Sequence, residues 1–305
     1  MGRAILVALS ILAVTSAARA GGVPVAASPA GHVLWTVSDL GLRKVDTRTL
    51  RSTPGPDLPH PYAVDVATGG GAVWVASVEN GYGSGAVSRI DLASGRVSTP
   101  LRLPHRGVFG LAVGGGYVWA LVGPSPTPSI ARIQLSGRGA APLVRVPGSV
   151  GWIAADGYGL WMWGGGSLLR MDPASERVAI VARVRPGGQL AVGLGSVWLP
   201  AWDTLVRVDE RSGRVLARIA VGPSTYALEV ARGAVWVLRL QGEKAWLVRI
   251  DADTNRVTGR RRLAGSPSSV TYADERLWVG EVQPSPRLLA VNPATLAVER
   301  AIPLL

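Results

Sequence analysis

Two of the three histidines in the chain are the residues best suited to acid–base or metal chemistry. His60 and His105 each follow a Leu-Pro pair, and each precedes a tryptophan by fourteen residues. If those tryptophans mark equivalent positions of a repeat, the histidines lie in equivalent loops of neighbouring units. Imidazole ligates metals and transfers protons near neutral pH, although two histidines alone leave a metal short of ligands. The alternative is a loop histidine that was duplicated with its repeat and does no chemistry.

Carboxylates form a second group of candidates. Asp65 in the segment AVDVA (63–67) aligns with Glu229 in the segment ALEVA (227–231), so both are predicted at one level of a channel wall. With His60 and His105 they are the metal candidates, and their oxygen ligands suit magnesium or calcium. The alternative is that they are solvated channel carboxylates. Further acidic residues stand three to five positions after a recurring tryptophan, namely Asp39, Glu79, Asp203 and Glu281.

Aromatic residues in the predicted loops form a third group, and they suit a sugar, a peptide or an apolar small molecule. Three of them are Trp152, Trp163 and Trp202, which stand outside the repeating frame, as Trp246 does. The alternative is that several of these rings pack against adjacent loops. The full set predicted to bind a ligand is His60, Tyr62, Glu79, His105, Phe109, Trp152, Trp163, Trp202 and Tyr226.

Seven tryptophans define the elements that must position these residues, because they recur at intervals of 37 to 45 residues. They are Trp35, Trp74, Trp119, Trp161, Trp198, Trp236 and Trp278. Most stand in a continuous apolar run such as AVWVA (72–76), as expected for a strand covered on both faces. One such strand in about forty residues is typical of a β-propeller. The sequence therefore predicts an all-β fold, a seven-bladed β-propeller of four-stranded antiparallel blades, over residues 21–305.

A second repeated signature, Arg-x-Asp or a variant of it, follows each tryptophan strand, as at residues 89–91 and 207–209. The aspartate is predicted to accept backbone N–H groups and close a hairpin. Because the triplet recurs around the ring, we interpret it as structural and not catalytic. The chain starts on a first strand and ends on a fourth strand. We therefore expect blade seven to pack against blade one, without a strand exchanged between the termini.

The first twenty residues have the organisation of a signal peptide. Arg3 supplies a positive charge, residues 4–14 are apolar, and residues 18–20 form a small-x-small cleavage site, so cleavage is predicted near Ala20. The apolar run is too short for a helix that crosses a bilayer core of about 30 Å. The sequence thus predicts a secreted or periplasmic protein without a transmembrane segment in its mature chain. It contains no cysteine, so its stability cannot depend on disulfides.

The chain is basic, with a formal net charge of +12 from 32 basic and 20 acidic residues. Many arginines recur at fixed repeat positions and do not gather into the stripe that tracks a phosphate backbone. We therefore do not expect nucleic acid to be a partner.

The whole predicted propeller resembles the YVTN and NHL-type repeat proteins, including the virginiamycin B lyase-like group. The resemblance rests on the run GGAVWV (70–75), the following Arg-Ile-Asp and a Gly-Arg-Val after the hairpin. It implies the propeller fold and, for the lyases of that group, magnesium-assisted opening of a cyclic ester by histidine and glutamate from later blades. Here the histidines are His32, His60 and His105, all in the first three predicted blades, so that activity does not transfer directly.

Two functions follow as expectations. The first is an exported module that binds a small molecule, a carbohydrate or a protein through one mouth of the channel, acts as a monomer and has no cofactor. The second is a metal-dependent lyase or hydrolase of the virginiamycin B lyase-like or lactonase-like kind. No residue is predicted to be catalytic, because neither a nucleophile with its base nor a convincing metal cluster is spaced along the sequence.

Overall fold

The computed structural model describes residues 25–27, 32–38, 41–60, 62–78, 84–103, 107–123, 128–137, 143–184, 187–283 and 285–304. The predicted signal peptide, residues 1–20, lies outside these ranges. The described residues form 28 strands and no helix. Within the same residues, no helix has the length and apolar character needed to cross a membrane.

The 28 strands form seven sheets of four antiparallel strands, and each sheet is built from contiguous sequence. Blades one to three contain β1 Val25–Ala27, β2 Val33–Ser38, β3 Gly41–Asp46, β4 Arg51–Pro54, β5 Tyr62–Gly69, β6 Ala72–Val78, β7 Gly85–Asp91, β8 Leu101–Leu103, β9 Val108–Gly114, β10 Tyr117–Val122, β11 Ser129–Gln134 and β12 Leu143–Arg145. Blades four and five contain β13 Val150–Ala155, β14 Leu160–Gly164, β15 Ser167–Met171, β16 Val178–Arg183, β17 Ala191–Gly193, β18 Ser196–Ala201, β19 Thr204–Asp209 and β20 Val215–Ala220. Blades six and seven contain β21 Thr225–Ala231, β22 Ala234–Gln241, β23 Lys244–Asp251, β24 Arg256–Leu263, β25 Pro267–Ala273, β26 Arg276–Glu281, β27 Arg287–Val291 and β28 Val298–Pro303.

The first strands of successive blades contact one another, and β1 contacts both β5 and β25. The ring is therefore closed, and the predicted seven-bladed β-propeller is confirmed. β1 pairs with β2 of its own blade, so the expectation of closure without an exchanged strand is confirmed as well.

The recurring tryptophans are buried between blades, with at most 4% of each residue exposed. Trp74 of blade two shares a buried cluster with Val113 and Val118 of blade three, and Trp278 of blade seven shares one with Leu34 of blade one. Each large ring thus fills the space between two sheets that twist apart. The core is a ring of seven such interfaces rather than one central cluster.

The Arg-x-Asp triplet has the predicted structural role. In blade five, Arg207 stands directly opposite Trp198, and its guanidinium carbon lies 4.8 Å from the ring centroid. In the hairpin that follows, Asp209 accepts the backbone N–H of Ser212 at 2.7 Å and its hydroxyl at 2.7 Å. The same arrangement recurs at Asp91, Asp172 and Asp251, where the partner is Ser94, Ser175 or Thr254.

Candidate functional site

One face of the ring carries every predicted ligand residue that the structure describes. In an antiparallel blade, the start of the first strand, the end of the second and the start of the third lie at the same end. We call this end of the ring the mouth face, and the opposite end, with the turns after first and third strands, the turn face. His60, Tyr62, Phe109, Trp152, Trp163, Trp202 and Tyr226 all belong to the mouth face. Glu79 and His105 lie outside the described residues, as Asp39 does.

A β-bulge recurs near the mouth end of the first strand in five blades. In each bulge, one residue of the first strand has no partner residue in the second strand. The five bulge residues are Val64, Phe109, Gly151, Tyr226 and Ser268. A bulge turns its side chain away from the sheet face and is common next to binding sites. Two predicted site residues, Phe109 and Tyr226, therefore owe their direction to an irregularity that the apolar pattern does not reveal.

The aromatic residues predicted to bind a ligand are divided between exposed rings and rings packed against the core. Trp202 is 83% exposed and Tyr62 is 56% exposed. Trp152 and Trp163 stand opposite each other in blade four, and both pack against the core cluster between blades four and five. Phe109 is half-buried and packs with the core between blades three and four. Packing against neighbours, the alternative interpretation, thus accounts for these three rings.

Trp202 also has an unusual backbone. It is the first residue of the two-residue turn between β18 and β19, and its φ is 57°. Left-handed backbone is costly for a bulky side chain, and glycine is the usual residue at such a position. The chain therefore keeps a large apolar ring in water at a place where a smaller residue would fold more easily.

The described metal candidates His60, Asp65 and Glu229 do not form a metal site, and His105 lies outside the described residues. Within the described residues, no group of three or more His, Asp or Glu side chains is arranged to hold a metal ion. His60 is buried, with 4% of the residue exposed, whereas Asp65 and Glu229 belong to blades two and six.

The predicted alignment of Asp65 with Glu229 is wrong by two residues. Glu229 stands opposite Trp236, but the residue opposite Trp74 is Ala67, two positions after Asp65. The turn between the first and second strands sets this register. Equivalent residues of two first strands are therefore found by counting back from that turn, and not by matching similar sequence motifs.

Asp65 and Glu229 are buried rather than solvated, with 0% and 3% of the residue exposed. Asp65 accepts the N–H of Leu111 in blade three at 2.7 Å, and Glu229 accepts the N–H of Tyr272 in blade seven at 3.1 Å. Burial raises the pKa of Asp65 well above its usual range and raises the pKa of Glu229 to about 8. Each carboxyl group thus forms a hydrogen bond between its own blade and the next one.

A buried carboxylate lies on the mouth face between blades six and seven. Glu281 is 0% exposed, and its Oε2 accepts a hydrogen bond from Arg287 Nε at 2.6 Å. Its Oε1 is buried and accepts no hydrogen bond from the described residues. Tyr226 donates to the carbonyl of Pro267 at 2.7 Å, and burial, with a smaller effect from the negative charge of Glu281, raises its pKa.

The neighbouring gap, between blades five and six, contains a buried cation. Arg239 is 8% exposed and stands at the same distance after its blade tryptophan, three residues, as Glu281 does. Neither Arg239 nor Arg287 was predicted from the sequence. A comparison of the residues three positions after each blade tryptophan would have found Arg239, because other blades have Ser77, Val122, Gly164 and Ala201 there.

No protein-family model matches the chain. No curated protein sequence matches it either. Solved structures are similar in fold. Apo AztD from Citrobacter koseri has 14% sequence identity and a TM-score of 0.61, with 92% of this chain and 86% of that chain covered.

Two further propellers show the same likeness. Sqt1 from Saccharomyces cerevisiae has 10% identity and a TM-score of 0.63, with 96% of this chain and 86% of that chain covered. The dihydro-heme d1 dehydrogenase NirN, solved in complex with DHE, has 13% identity and a TM-score of 0.64 over 92% of this chain. This chain covers 65% of NirN, slightly less than two thirds of its length. At these identities the likeness establishes the fold alone.

Proposed function

We propose that the chain is a binding propeller that takes a ligand on its mouth face. The observation that carries this proposal is Trp202, 83% exposed and held at a φ of 57°. Its ring gains nothing from burial, and its backbone is strained, so folding stability does not explain its presence. Strain and exposure of this kind are common where a residue serves recognition.

Two properties of the same face support the proposal. The buried charged side chains Arg239 and Glu281 lie there, and Tyr62, which is 56% exposed, offers a second aromatic surface. A few polar groups beside aromatic rings are the usual composition of a small-molecule site. No described arrangement favours the metal-dependent lyase or hydrolase over this binding role.

Two parts of the proposal rest on sequence alone. Export is supported by Arg3, the apolar residues 4–14 and the small-x-small site that ends at Ala20. A relation to the YVTN and NHL-type propellers is supported by the repeated Gly-Gly-x-Val-Trp run and the Arg-Ile-Asp that follows it.

The test compares two matched glycine variants, Trp202→Gly and Leu194→Gly. Leu194 has a φ of 56° and is 43% exposed, but it lies in a turn on the turn face. We expect both variants to be at least as stable as the parent, because glycine suits a left-handed backbone. Binding is measured as the rise in Tm with maltotriose, chitotriose, a Gly-Tyr-Gly tripeptide and benzoate.

At least one of these probes is expected to raise the Tm saturably in the parent and in Leu194→Gly, but not in Trp202→Gly. A response that Trp202→Gly retains in full would overturn the proposal. The same conclusion follows if the parent responds to none of the four probes.

A further inference from the structure

Arg239 is a buried cation without a described carboxylate partner. Among the described residues, no Asp or Glu forms an ion pair with it. Its Nε–H is buried and has no acceptor among the described residues, and its Nη2 donates to Gln241 Oε1 at 3.2 Å. An unpaired charge out of water is costly, so native proteins seldom keep one without a reason.

A second unpaired donor lies beside Arg239. Trp246 stands directly opposite Arg239 in the neighbouring strand, and the guanidinium carbon lies 5.8 Å from the centroid of the indole ring. The Trp246 Nε1–H is also buried without an acceptor among the described residues. Two adjacent donors that both lack acceptors call for a ligand that supplies acceptor oxygens.

Several positively charged residues lie near Arg239. Burial, and next the charge of Arg260, lower the pKa of Arg239. Arg262 stands opposite Trp246 on the outer strand, and Arg260, Arg262 and Lys244 are exposed. Several positive charges around a gap between blades attract anions and repel cations.

The segment that covers Arg239 is joined to the Trp202 turn. The carbonyl of Asp203, next to Trp202, accepts the N–H of Val221 at 3.0 Å and of Gly222 at 2.8 Å. A Cβ at Gly222 would lie 2.6 Å from Arg239 Nη1, so any larger residue would push the guanidinium out of its present position. The exposed ring and the buried cation therefore belong to one continuous piece of the mouth face.

We propose that this gap between blades five and six binds the carboxylate group of a small ligand whose flat apolar part lies against Trp202. The inference rests on the binding role proposed above and names its ligand class. Nε–H and Nη2–H lie on the same side of a guanidinium, where a carboxylate accepts two parallel hydrogen bonds. Gln241 Oε1 now occupies the place of one carboxylate oxygen, and its exposed side chain is the group that the ligand displaces.

The test measures Tm at pH 7 and constant ionic strength with acetate, benzoate, benzyl alcohol and inorganic phosphate. We expect benzoate to raise the Tm saturably, acetate to act more weakly, and benzyl alcohol and phosphate to have no such effect. Arg239→Met is expected to lose the response and to have a higher Tm without ligand, because an unpaired buried charge is removed. Arg256→Met is the control, since Arg256 is exposed at the turn-face end of β24, the outer strand of the same blade.

Arg239→Lys keeps the charge but not the paired donors, so its Kd for benzoate should rise about tenfold or more. This variant keeps the test valid if Arg239→Met does not fold. No response to acetate or benzoate, or an equal response to phosphate, would overturn the carboxylate inference. A neutral probe whose binding depends on Trp202 would then leave the general binding role intact. Conversely, benzoate binding that depends on Arg239 but not on Trp202 would support the carboxylate site and overturn the Trp202-based binding role proposed above.

Discussion

Glu229 occupies a position that alanine fills in most blades. The residue opposite the blade tryptophan is alanine in five of them, namely Ala26, Ala67, Ala112, Ala154 and Ala191. A glutamate side chain at this place lies between two packed sheets, where the charged form is poorly solvated. The bond from the Tyr272 N–H only partly offsets that cost, which is why the proton is held up to a pH of about 8.

The raised pKa of Glu229 predicts that stability falls as pH rises. In the unfolded chain the group ionises near its usual value, while in the folded chain it stays protonated up to a pKa of about 8. Its contribution is therefore complete below about pH 4.5 and is lost between that pH and about 8, by on the order of 4 kcal/mol. Urea unfolding of the parent at pH 5 and pH 8 measures this loss.

Glu229→Gln should lose less stability than the parent between the same two pH values, because an amide oxygen still accepts the Tyr272 N–H but does not ionise. Some pH dependence is expected to remain from Asp65, whose pKa burial also raises. Asp65→Asn measures that share. Equal losses in Glu229→Gln and in the parent would contradict the prediction.

At the scale of strands and hairpins, the repeated arginine of the third strand connects neighbouring blades. Arg207 donates from Nη1 to the carbonyl of Ala252 at 2.5 Å and to Asn255 Oδ1 at 3.1 Å, both in the last hairpin of blade six. Arg132 makes the same kind of link to the carbonyl of Pro173 in blade four at 2.6 Å. The triplet thus stabilises the ring between blades as well as within them.

Arg207→Lys is expected to destabilise the protein by about 1.5–3 kcal/mol, because an ammonium group cannot stack on Trp198 and reach both acceptors. Arg249→Lys is the matched control, since the described bond of Arg249 Nη1 is to Thr258 Oγ1 within its own blade, at 2.7 Å. The free energy of unfolding in urea distinguishes the two variants. If they lose equal stability, the link between blades contributes nothing.

The strands were predictable because their signals are local and repeated. A tryptophan in an apolar run and an aspartate before a turn each act within a few residues, and seven copies reduce the effect of any one exception. Bulges such as those at Phe109 and Tyr226 leave no such trace, because they depend on how two strands pair. The same limit explains the misplaced alignment of Asp65 with Glu229.

The candidate site was predictable only in part. That the predicted residues share one face could be predicted because it follows from strand order, and Trp202 was singled out because it stands outside the repeating frame. Whether Trp152 and Trp163 project into solvent depends on the neighbouring blade, which sequence spacing does not give. Arg239 and Glu281 are the charged residues three positions after a blade tryptophan, where the other blades have small or apolar residues, and this signal was present in the sequence.

At the scale of the whole ring, one interface differs from the other six, because no chain connects blade seven to blade one directly. Apolar packing closes it, with Trp278, Leu288 and Ile302 against Leu34 and Val45. Local opening is expected to begin where no peptide link limits separation.

Hydrogen bonds of Asp274 with His32 and Thr47 add to this packing on the turn face, and we call these bonds the polar latch. Asp274 in the first turn of blade seven accepts hydrogen bonds from the Thr47 hydroxyl and, at 2.7 Å, from His32 Nδ1, both of blade one. These bonds join the first and last blades directly, so the latch supports the interface that lacks a chain connection.

Asp274→Gly tests the latch without disturbing the backbone, since Asp274 has a φ of 47° that glycine adopts freely. We expect a loss of about 1–2 kcal/mol in the free energy of unfolding. We also expect faster hydrogen exchange of amides in blades one and seven than in blade four. Glu275→Gly is the control in the same turn, with a φ of 60°, and it should be as stable as the parent or more so. Uniformly faster exchange around the ring would mean that the seven blades open as one unit and that the latch has no special place in closure.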